Sequence, residues 1–132
     1  MSRREQLDEF NWQPFHNNSG EKIPAFALVA VTGEHDYGSG ATVLQVGKPS
    51  SNEDVSYSIN SPIGVPVGGP GNCSADYSRR VLYDDANTPG VHEEWGPVSG
   101  SWKLTKSGSG FRIVGGVDAS AKTVRVMRST TG

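Results

Sequence analysis

The sequence predicts an all-β fold, a compact sandwich or small barrel of about seven or eight short strands with an extended N-terminal arm containing a short helix. Three observations carry this prediction. The 132 residues include 17 glycines and 8 prolines, a composition typical of short strands joined by many turns. Short apolar segments recur between these turns, several with the two-residue alternation of a half-buried strand. The first 22 residues follow neither pattern and form the predicted arm.

The length of the chain fits one domain, which we divide into an arm, residues 1–22, and a single β-domain, residues 23–132. A chain of this size buries about two thirds of the surface that its unfolded form exposes, so it can form a core without metals or disulfides. Its one cysteine, Cys73, has no partner for an intramolecular disulfide and is expected to be a small buried hydrophobe. We therefore predict no cofactor and no metal.

The arm begins with Ser2-Arg3-Arg4-Glu5, which has the form of a capping box and predicts one short helix. A helix this brief is marginal in isolation, so we expect its apolar face to contact a partner. The candidate partner-contact residues are Arg3, Arg4, Leu7, Phe10, Trp12 and Phe15. The alternative is that the aromatic residues of the arm cover the open end of the domain's own core.

The β-domain opens with a near-continuous apolar run over residues 25–32, which predicts a central strand buried on both faces and ending at Gly33. A polar, glycine-rich loop over residues 34–40 separates it from a strand over residues 42–46, so that the two form a hairpin. Apolar and polar side chains alternate over residues 55–59, as in a strand with one solvent-exposed face. Residues 62–71 contain three prolines and four glycines and fit an edge strand or an extended loop.

In the second half of the β-domain, the residue pattern predicts a strand over residues 79–83 and a turn-rich stretch over residues 84–100. Three short strands then complete the domain, over residues 101–105, 111–114 and 123–127. A glycine-containing turn joins the first two of these as a hairpin.

None of the motifs completes a catalytic or metal site. The run His92-Glu93-Glu94-Trp95-Gly96 begins like a zinc-protease motif but holds glycine where the second histidine would stand. The adjacent Glu34, His35 and Asp36 are expected at a hairpin tip rather than around a cation. A carboxylate pair of a glycosidase, formed by Glu93 or Glu94 with Asp84 or Asp85, remains an alternative. We expect the protein not to be an enzyme.

Several partner classes are disfavoured by charge and hydropathy. The net charge is −2 and the basic residues are spread out, so we predict no nucleic-acid binding. No apolar run approaches membrane-spanning length and the N-terminus lacks a secretory signal, so we predict no membrane association and synthesis in the cytoplasm. Aromatic side chains could stack on sugars, and the candidates are Tyr57, Tyr83, Trp95 and Trp102, although Trp102 is expected in the core.

Three segments carry a resemblance to small virion structural proteins of tailed bacteriophages and prophages. The first runs from Asn17-Asn18-Ser19-Gly20-Glu21 through Ile23-Pro24-Ala25-Phe26. The second combines Tyr83 with Glu94-Trp95-Gly96-Pro97 and Ser101-Trp102-Lys103-Leu104. The third runs from Gly110-Phe111 through Gly115-Gly116. These are turn and strand signatures that span most of the chain beyond residue 16.

This resemblance implies a component of the virus particle. Capsid decoration or cement proteins resemble compact β-domains with an extended terminal arm, and they sit as trimers where capsid subunits meet. The implied partners are therefore the major capsid protein and other copies of this chain in a homotrimer on the capsid surface. A tail, neck or head-fibre component that binds virion proteins or host glycans, the latter through residues 84–100, is the alternative, and a small glycan hydrolase is a third. The resemblance transfers no site residues.

Overall fold

The structure is a computed structural model that describes residues 12–38, 40–50, 56–74, 79–84 and 86–129. Its regular structure within these ranges is entirely β, in nine strands. The strands are β1 (Gln13–Asn17), β2 (Leu28–Asp36), β3 (Thr42–Gly47), β4 (Ser56–Asn60), β5 (Pro70–Ser74), β6 (Arg79–Leu82), β7 (Glu94–Trp95), β8 (Phe111–Asp118) and β9 (Thr123–Arg128). No helix in this part of the chain is long and apolar enough to cross a membrane.

The first five strands form a closed barrel in the order β1-β3-β2-β4-β5. β1 closes it, because this strand lies parallel to β3 and antiparallel to β5. The long strand β2 lies antiparallel to both β3 and β4, with a bulge between Val31 and Gly33 on the β3 side. Closure pairs every barrel strand on both sides and leaves no open sheet edge.

The inside of the barrel is a hydrophobic cluster that includes the free cysteine, as the sequence predicts. Burial raises the pKa of the Cys73 thiol. Phe15 fills the space beside Gly71, where an added Cβ would lie 2.6 Å from the Phe15 ring. The members of the cluster are Phe15, Ile23, Ala27, Val29, Val46, Val65, Cys73 and Trp102.

The remaining strands form a four-stranded sheet in the order β6-β9-β8-β7. A second hydrophobic cluster joins this sheet to the outside of the barrel, where Leu28 and Ile59 meet the sheet residues. The sheet supplies Val81, Trp95, Phe111, Ile113, Val124 and Val126, and the bridged pair Tyr83 and Leu104 completes the cluster. Backbone hydrogen bonds cross the same junction, with the Leu82 amide donating to the Phe26 carbonyl at 3.0 Å. The barrel and the sheet therefore share one packed interface.

The all-β prediction is confirmed for the described residues, but several element boundaries are wrong. The central strand runs from Leu28 to Asp36, so residues 34–36 are strand rather than hairpin tip. Residues 62–71 are predicted as an edge strand or an extended loop, but only Pro70 and Gly71 of them lie in a strand, β5, which is paired on both sides and is not an edge. Residues 101–105 make only isolated bridges, from Leu104 to Tyr83 and from Thr105 to Gly96. The predicted N-terminal helix lies outside the described residues.

Strand β1 lies within the range that the sequence predicts to be an arm. Its residue Phe15 is fully buried among barrel residues, so the prediction that Phe15 contacts a partner is wrong. The alternative, that an aromatic residue of this stretch packs on the domain's own core, describes Phe15 correctly. The other arm candidates, Arg3, Arg4, Leu7 and Phe10, lie outside the described residues.

Candidate functional site: an arginine-lined cleft

A cleft of about 130 Å³ lies where the barrel meets the four-stranded sheet. Its lining combines two aromatic residues, three arginines and a buried asparagine. The barrel side contributes Trp12, Phe26, Ile59, Asn60 and Pro62, and the sheet contributes Arg79, Arg80 and Arg125. Three arginines therefore contribute to the lining of one cleft in a chain whose net charge is −2.

Arg79 is held in a defined orientation at the mouth of the cleft. Its guanidinium carbon lies 4.7 Å from the centre of the Trp12 ring, in a cation–π contact. Its Nε donates to the Ser74 hydroxyl at 3.3 Å. Among the described residues no acceptor meets its two Nη groups, and no carboxylate lies within ion-pair distance of them. Stacking and the Nε bond therefore fix a guanidinium fork whose outer edge is available to a ligand.

Arg80 lies directly opposite Arg125 in the β6–β9 pair. Like charges in opposite positions destabilise a strand pair unless a counter-charge is nearby. Arg80 is fixed by two bonds to its own sheet, from Nε to the Thr123 hydroxyl at 3.2 Å and from Nη2 to the Gly116 carbonyl. Its Nη1 group makes no hydrogen bond to any residue that the structure describes.

Asn60 supplies the one buried acceptor of the cleft. The residue is 1% exposed, and its Nδ2 donates to the carbonyls of Pro24 at 2.9 Å and Ile63 at 3.0 Å. These two bonds fix the orientation of the amide, because only the nitrogen end can donate. Its Oδ1 is buried and has no donor within the described ranges. An unsatisfied buried acceptor costs about 1–3 kcal/mol.

The rim of the cleft is apolar and exposed. Ile63, next to the cleft residue Pro62, is 72% exposed. Phe26 on the wall has a φ of +63°, a left-handed conformation that non-glycine residues rarely adopt. The Phe26 backbone is held there by bonds on both sides, from its amide to the Ser61 carbonyl and from the Leu82 amide to its own carbonyl. The wall is thus a strained but firmly bonded junction between the barrel and the sheet.

The two glutamates considered for a glycosidase pair have other roles in the structure, and Asp85, one of their candidate partners, lies outside the described residues. Glu93 Oε1 accepts from the Trp95 indole at 3.0 Å and from the Gly90 amide at 2.9 Å. These hydrogen bonds lower the pKa of Glu93, whereas a general acid needs a raised pKa. Glu94 lies 3.8 Å from Arg112 in an ion pair. The geometry therefore gives Glu93 the role of an acceptor that holds a loop.

Two of the three histidines lie together on the outside of the barrel. The rings of His16 and His35 stack with centroids 3.7 Å apart, and Tyr37 meets both edge-on. Parallel ring planes do not allow both imidazoles to ligate one ion, because a metal lies in the plane of each ring that binds it. Within the described ranges, no group of three or more His, Cys, Asp and Glu side chains could hold a metal ion.

Most of the aromatic residues considered for sugar stacking are inaccessible. Trp95 is 0% exposed, Tyr83 4% and Trp102 8%. Tyr57 is the partly exposed member of the set, and it lines a shallow groove with Pro97 and Val98. A stacked sugar would therefore have to bind in that groove.

The cleft includes only one residue that the sequence singles out, Trp12. Sequence reasoning missed the role of Arg79, Arg80, Arg125 and Asn60, although adjacent arginines in a short strand are a signal. What brings them together is the pairing of β6 with β9, which a linear pattern does not specify.

Comparison of the chain with protein-family models, curated proteins and solved structures finds no match.

Proposed function

We propose that this chain is a structural protein of a tailed-bacteriophage particle, a capsid decoration or cement protein that stabilises the shell by binding between capsid subunits. Its partners are the major capsid protein and copies of itself in a homotrimer. It attaches without a cofactor and without catalysis. The resemblance of three segments to phage virion proteins supports the class of protein, and the cleft supports the mode of action.

The observation that carries the proposal is the composition of the cleft and its rim. Tryptophan and arginine dominate the energetic centres of protein interfaces, usually in pockets that water leaves on binding. Here Trp12 and Arg79 stack on each other, and Ile63, the neighbour of the cleft residue Pro62 in the sequence, is an exposed apolar residue. Such an arrangement suits the insertion of a partner's side chain better than the turnover of a substrate.

The position of Trp12 links the cleft to the preceding residues. Trp12 is the residue before β1 and lines the cleft. We place the attachment surface on residues 1–12 together with the cleft, and we leave out Phe15, which the barrel buries. Burial of Leu7, Phe10 and Trp12 on a capsid subunit would stabilise attachment by several kcal/mol at about 25 cal/mol per Å², before ordering costs.

The test is the occupancy of particles by a chain that lacks residues 1–11. This deletion preserves Phe15 and all of β1, so the barrel should remain folded. Particles assembled without the chain are incubated with the full-length or the shortened protein, purified and measured for bound copies. We expect the full-length chain to saturate the shell and the shortened chain to bind at least about tenfold more weakly. Equal occupancy by the two proteins would reject the proposed attachment surface.

A second candidate function is that of a tail, neck or head-fibre component that binds host glycans. The groove lined by Tyr57, Pro97 and Val98 favours it, because a partly exposed tyrosine beside flat apolar groups is a stacking surface for sugar rings. Glycan-array binding that Tyr57→Ala abolishes, with the protein located on the tail, would support this function over shell attachment.

A further inference from the structure

We infer that this chain associates head to tail with copies of itself, through an exposed apolar loop of one copy and an uncharged groove of the next. The apolar loop comprises residues 62–69, between β4 and β5. The uncharged groove is the one that the second candidate function would give to a sugar. The inference rests on the proposed function, for which it names the two surfaces that join the copies of the homotrimer.

The apolar loop exposes large side chains although none of its eight residues is polar or charged. Ile63 is 72% exposed and Val67 is 62% exposed, the two highest values among the large hydrophobic residues that the structure describes. Pro62 and Pro66 of the same loop are also exposed. A single exposed apolar residue is ordinary, but a group of them on one short loop marks a surface for contact with another protein.

Buried amides hold the apolar loop in one shape. Asn17 is 1% exposed and donates from Nδ2 to the Pro66 carbonyl at 3.0 Å. Asn60 is equally buried and donates from Nδ2 to the Ile63 carbonyl at 3.0 Å. Between these two points, the backbone of Val65 makes two hydrogen bonds to the chain that leads into the barrel. A loop fixed in this way loses little conformational entropy when it binds, so its exposed side chains are ready for a partner.

The uncharged groove is the concavity whose chemistry matches this loop. It measures about 570 Å³ and has no charged side chain in its described lining. The lining residues are Ser50, Tyr57, Pro97, Val98, Ser99, Gly108 and Ser109. The arginine-lined cleft is smaller, about 130 Å³, and a third depression of about 230 Å³ includes Glu34. Aliphatic side chains that entered either of those would remove water from a charged group, which is costly, whereas the groove imposes no such cost.

Both surfaces are accessible on a single copy, so the loop does not fill the groove of its own chain. Val98 in the groove is 39% exposed, and Ile63 in the loop is 72% exposed. The loop and the groove share no residue, so a contact between them joins different surfaces of two copies. Contacts of this heterologous kind close into a ring when the rotation between copies permits it, and each copy in the ring then uses both surfaces. A ring of three copies is the proposed homotrimer.

The experiment measures the mass of the full chain in solution by analytical ultracentrifugation over a range of concentrations. We expect the parent chain to form trimers. Ile63→Asp and Val98→Asp should each weaken association by about a hundredfold or more, because each places an unpaired charge in the contact. Val91→Asp and Val117→Asp are the matched controls, since they add the same charge at exposed valines outside both surfaces and should associate like the parent. Circular dichroism checks that all four variants are folded.

A mixture of the two defective variants tests the head-to-tail arrangement. The intact loop of Val98→Asp can enter the intact groove of Ile63→Asp, whereas the other two surfaces in the pair are blocked. We therefore expect a one-to-one heterodimer that grows no further, at concentrations where each variant alone is still monomeric. A contact between two identical surfaces would not give this complementation.

Several outcomes would overturn the inference. These are a trimer that either Ile63→Asp or Val98→Asp leaves intact, a mixture that stays monomeric, and a parent chain that is monomeric up to millimolar concentration. If Ile63→Asp lowers shell occupancy but not association, the loop contacts a capsid subunit instead. Shell attachment is judged separately by particle occupancy, so trimers of the parent that do not occupy particles would reject attachment alone.

Discussion

His16 stacks on His35 with ring planes 5° from parallel, although their strands β1 and β2 do not pair with each other. Both strands flank β3, so the two imidazoles meet across its outer face. The Tyr37 hydroxyl lies 3.5 Å from Nδ1 of His16 at the edge of the same cluster. Side chains from three places in the sequence thus fasten the closing strand of the barrel to the central strand.

The histidine stack predicts that the fold loses stability in mild acid. Desolvation and the neighbouring His35 lower the pKa of His16 below the ordinary 6.5. As the pH falls through that value, the unfolded chain takes up a proton that the folded chain still excludes, so acid favours unfolding. We expect the urea midpoint to fall between about pH 7.5 and about pH 5.5, and His16→Gln to reduce this fall. His92→Asn, a change in an exposed turn, is the control, and an unchanged pH profile for His16→Gln would contradict the prediction.

Phe15 should be essential to the barrel, unlike the residues before it. Phe15→Ala should cost about 3–5 kcal/mol of unfolding free energy, because it leaves a large cavity in a closed barrel. Ile63→Ala, at a residue 72% exposed, should change stability by less than about 0.5 kcal/mol. Deletion of residues 1–15 should therefore unfold the domain, whereas deletion of residues 1–11 should not. Chemical denaturation followed by circular dichroism measures all four, and a folded 1–15 deletion would exclude this role for Phe15.

Gly96 and Gly108 allow two backbone segments to cross in contact. A Cβ on Gly108 would lie 2.6 Å from the Gly96 carbonyl carbon, and one on Gly96 would overlap the Ser109 backbone. Backbone atoms cannot move aside like the end of a flexible side chain, so Gly108→Ala should destabilise by about 2–4 kcal/mol. Gly47→Ala is the matched control, because its Cβ would meet only Thr32 Cγ2 at 3.8 Å. Similar melting temperatures for the two variants would show that this crossing tolerates a methyl group.

We expect the negative charge of Glu93 to stabilise the folded state, and we assign this carboxylate no catalytic role. Its pKa is lowered by the hydrogen bonds from Trp95 and then from Gly90, so its contribution is present above the unfolded pKa and is lost as the pH falls through the folded one. Glu93→Gln should be less stable than the parent at neutral pH, and the two unfolding curves should converge in acid. Glu94→Gln is the control, since Glu94 forms a surface ion pair of little value. A constant difference between Glu93→Gln and the parent at all pH values would exclude the charge as the cause.

The fold class follows from the sequence, while the closure of the barrel does not. Apolar alternation and turn residues identify short strands because both are local properties of the chain. β1 was missed because Pro14 and the polar His16 interrupt its pattern, and β5 because glycine and proline dominate its surroundings. These two strands pair with each other across more than fifty residues, and such a long-range pairing has no local signature.

The candidate site was hidden for the same reason. Trp12 is noticeable as an aromatic residue near the N-terminus, but Arg79 and Arg80 look like the start of an ordinary strand, and Asn60 looks like the polar end of one. Only the folded structure shows that these residues line one cleft. Burial of an unsatisfied oxygen is a tertiary property that no residue pattern encodes.

The closing position of β1 also orders events during synthesis. The earliest of the nine strands to leave the ribosome must wait for β3, and then for β5, before both of its edges are paired. Bringing β1 to its partners closes long loops, and the entropy of the chain is lost before the new contacts stabilise it. We therefore expect this strand to be among the last to dock as the nascent chain folds. Until then the large ring of Phe15 is exposed to water. We expect a chaperone that recognises exposed apolar side chains to bind there.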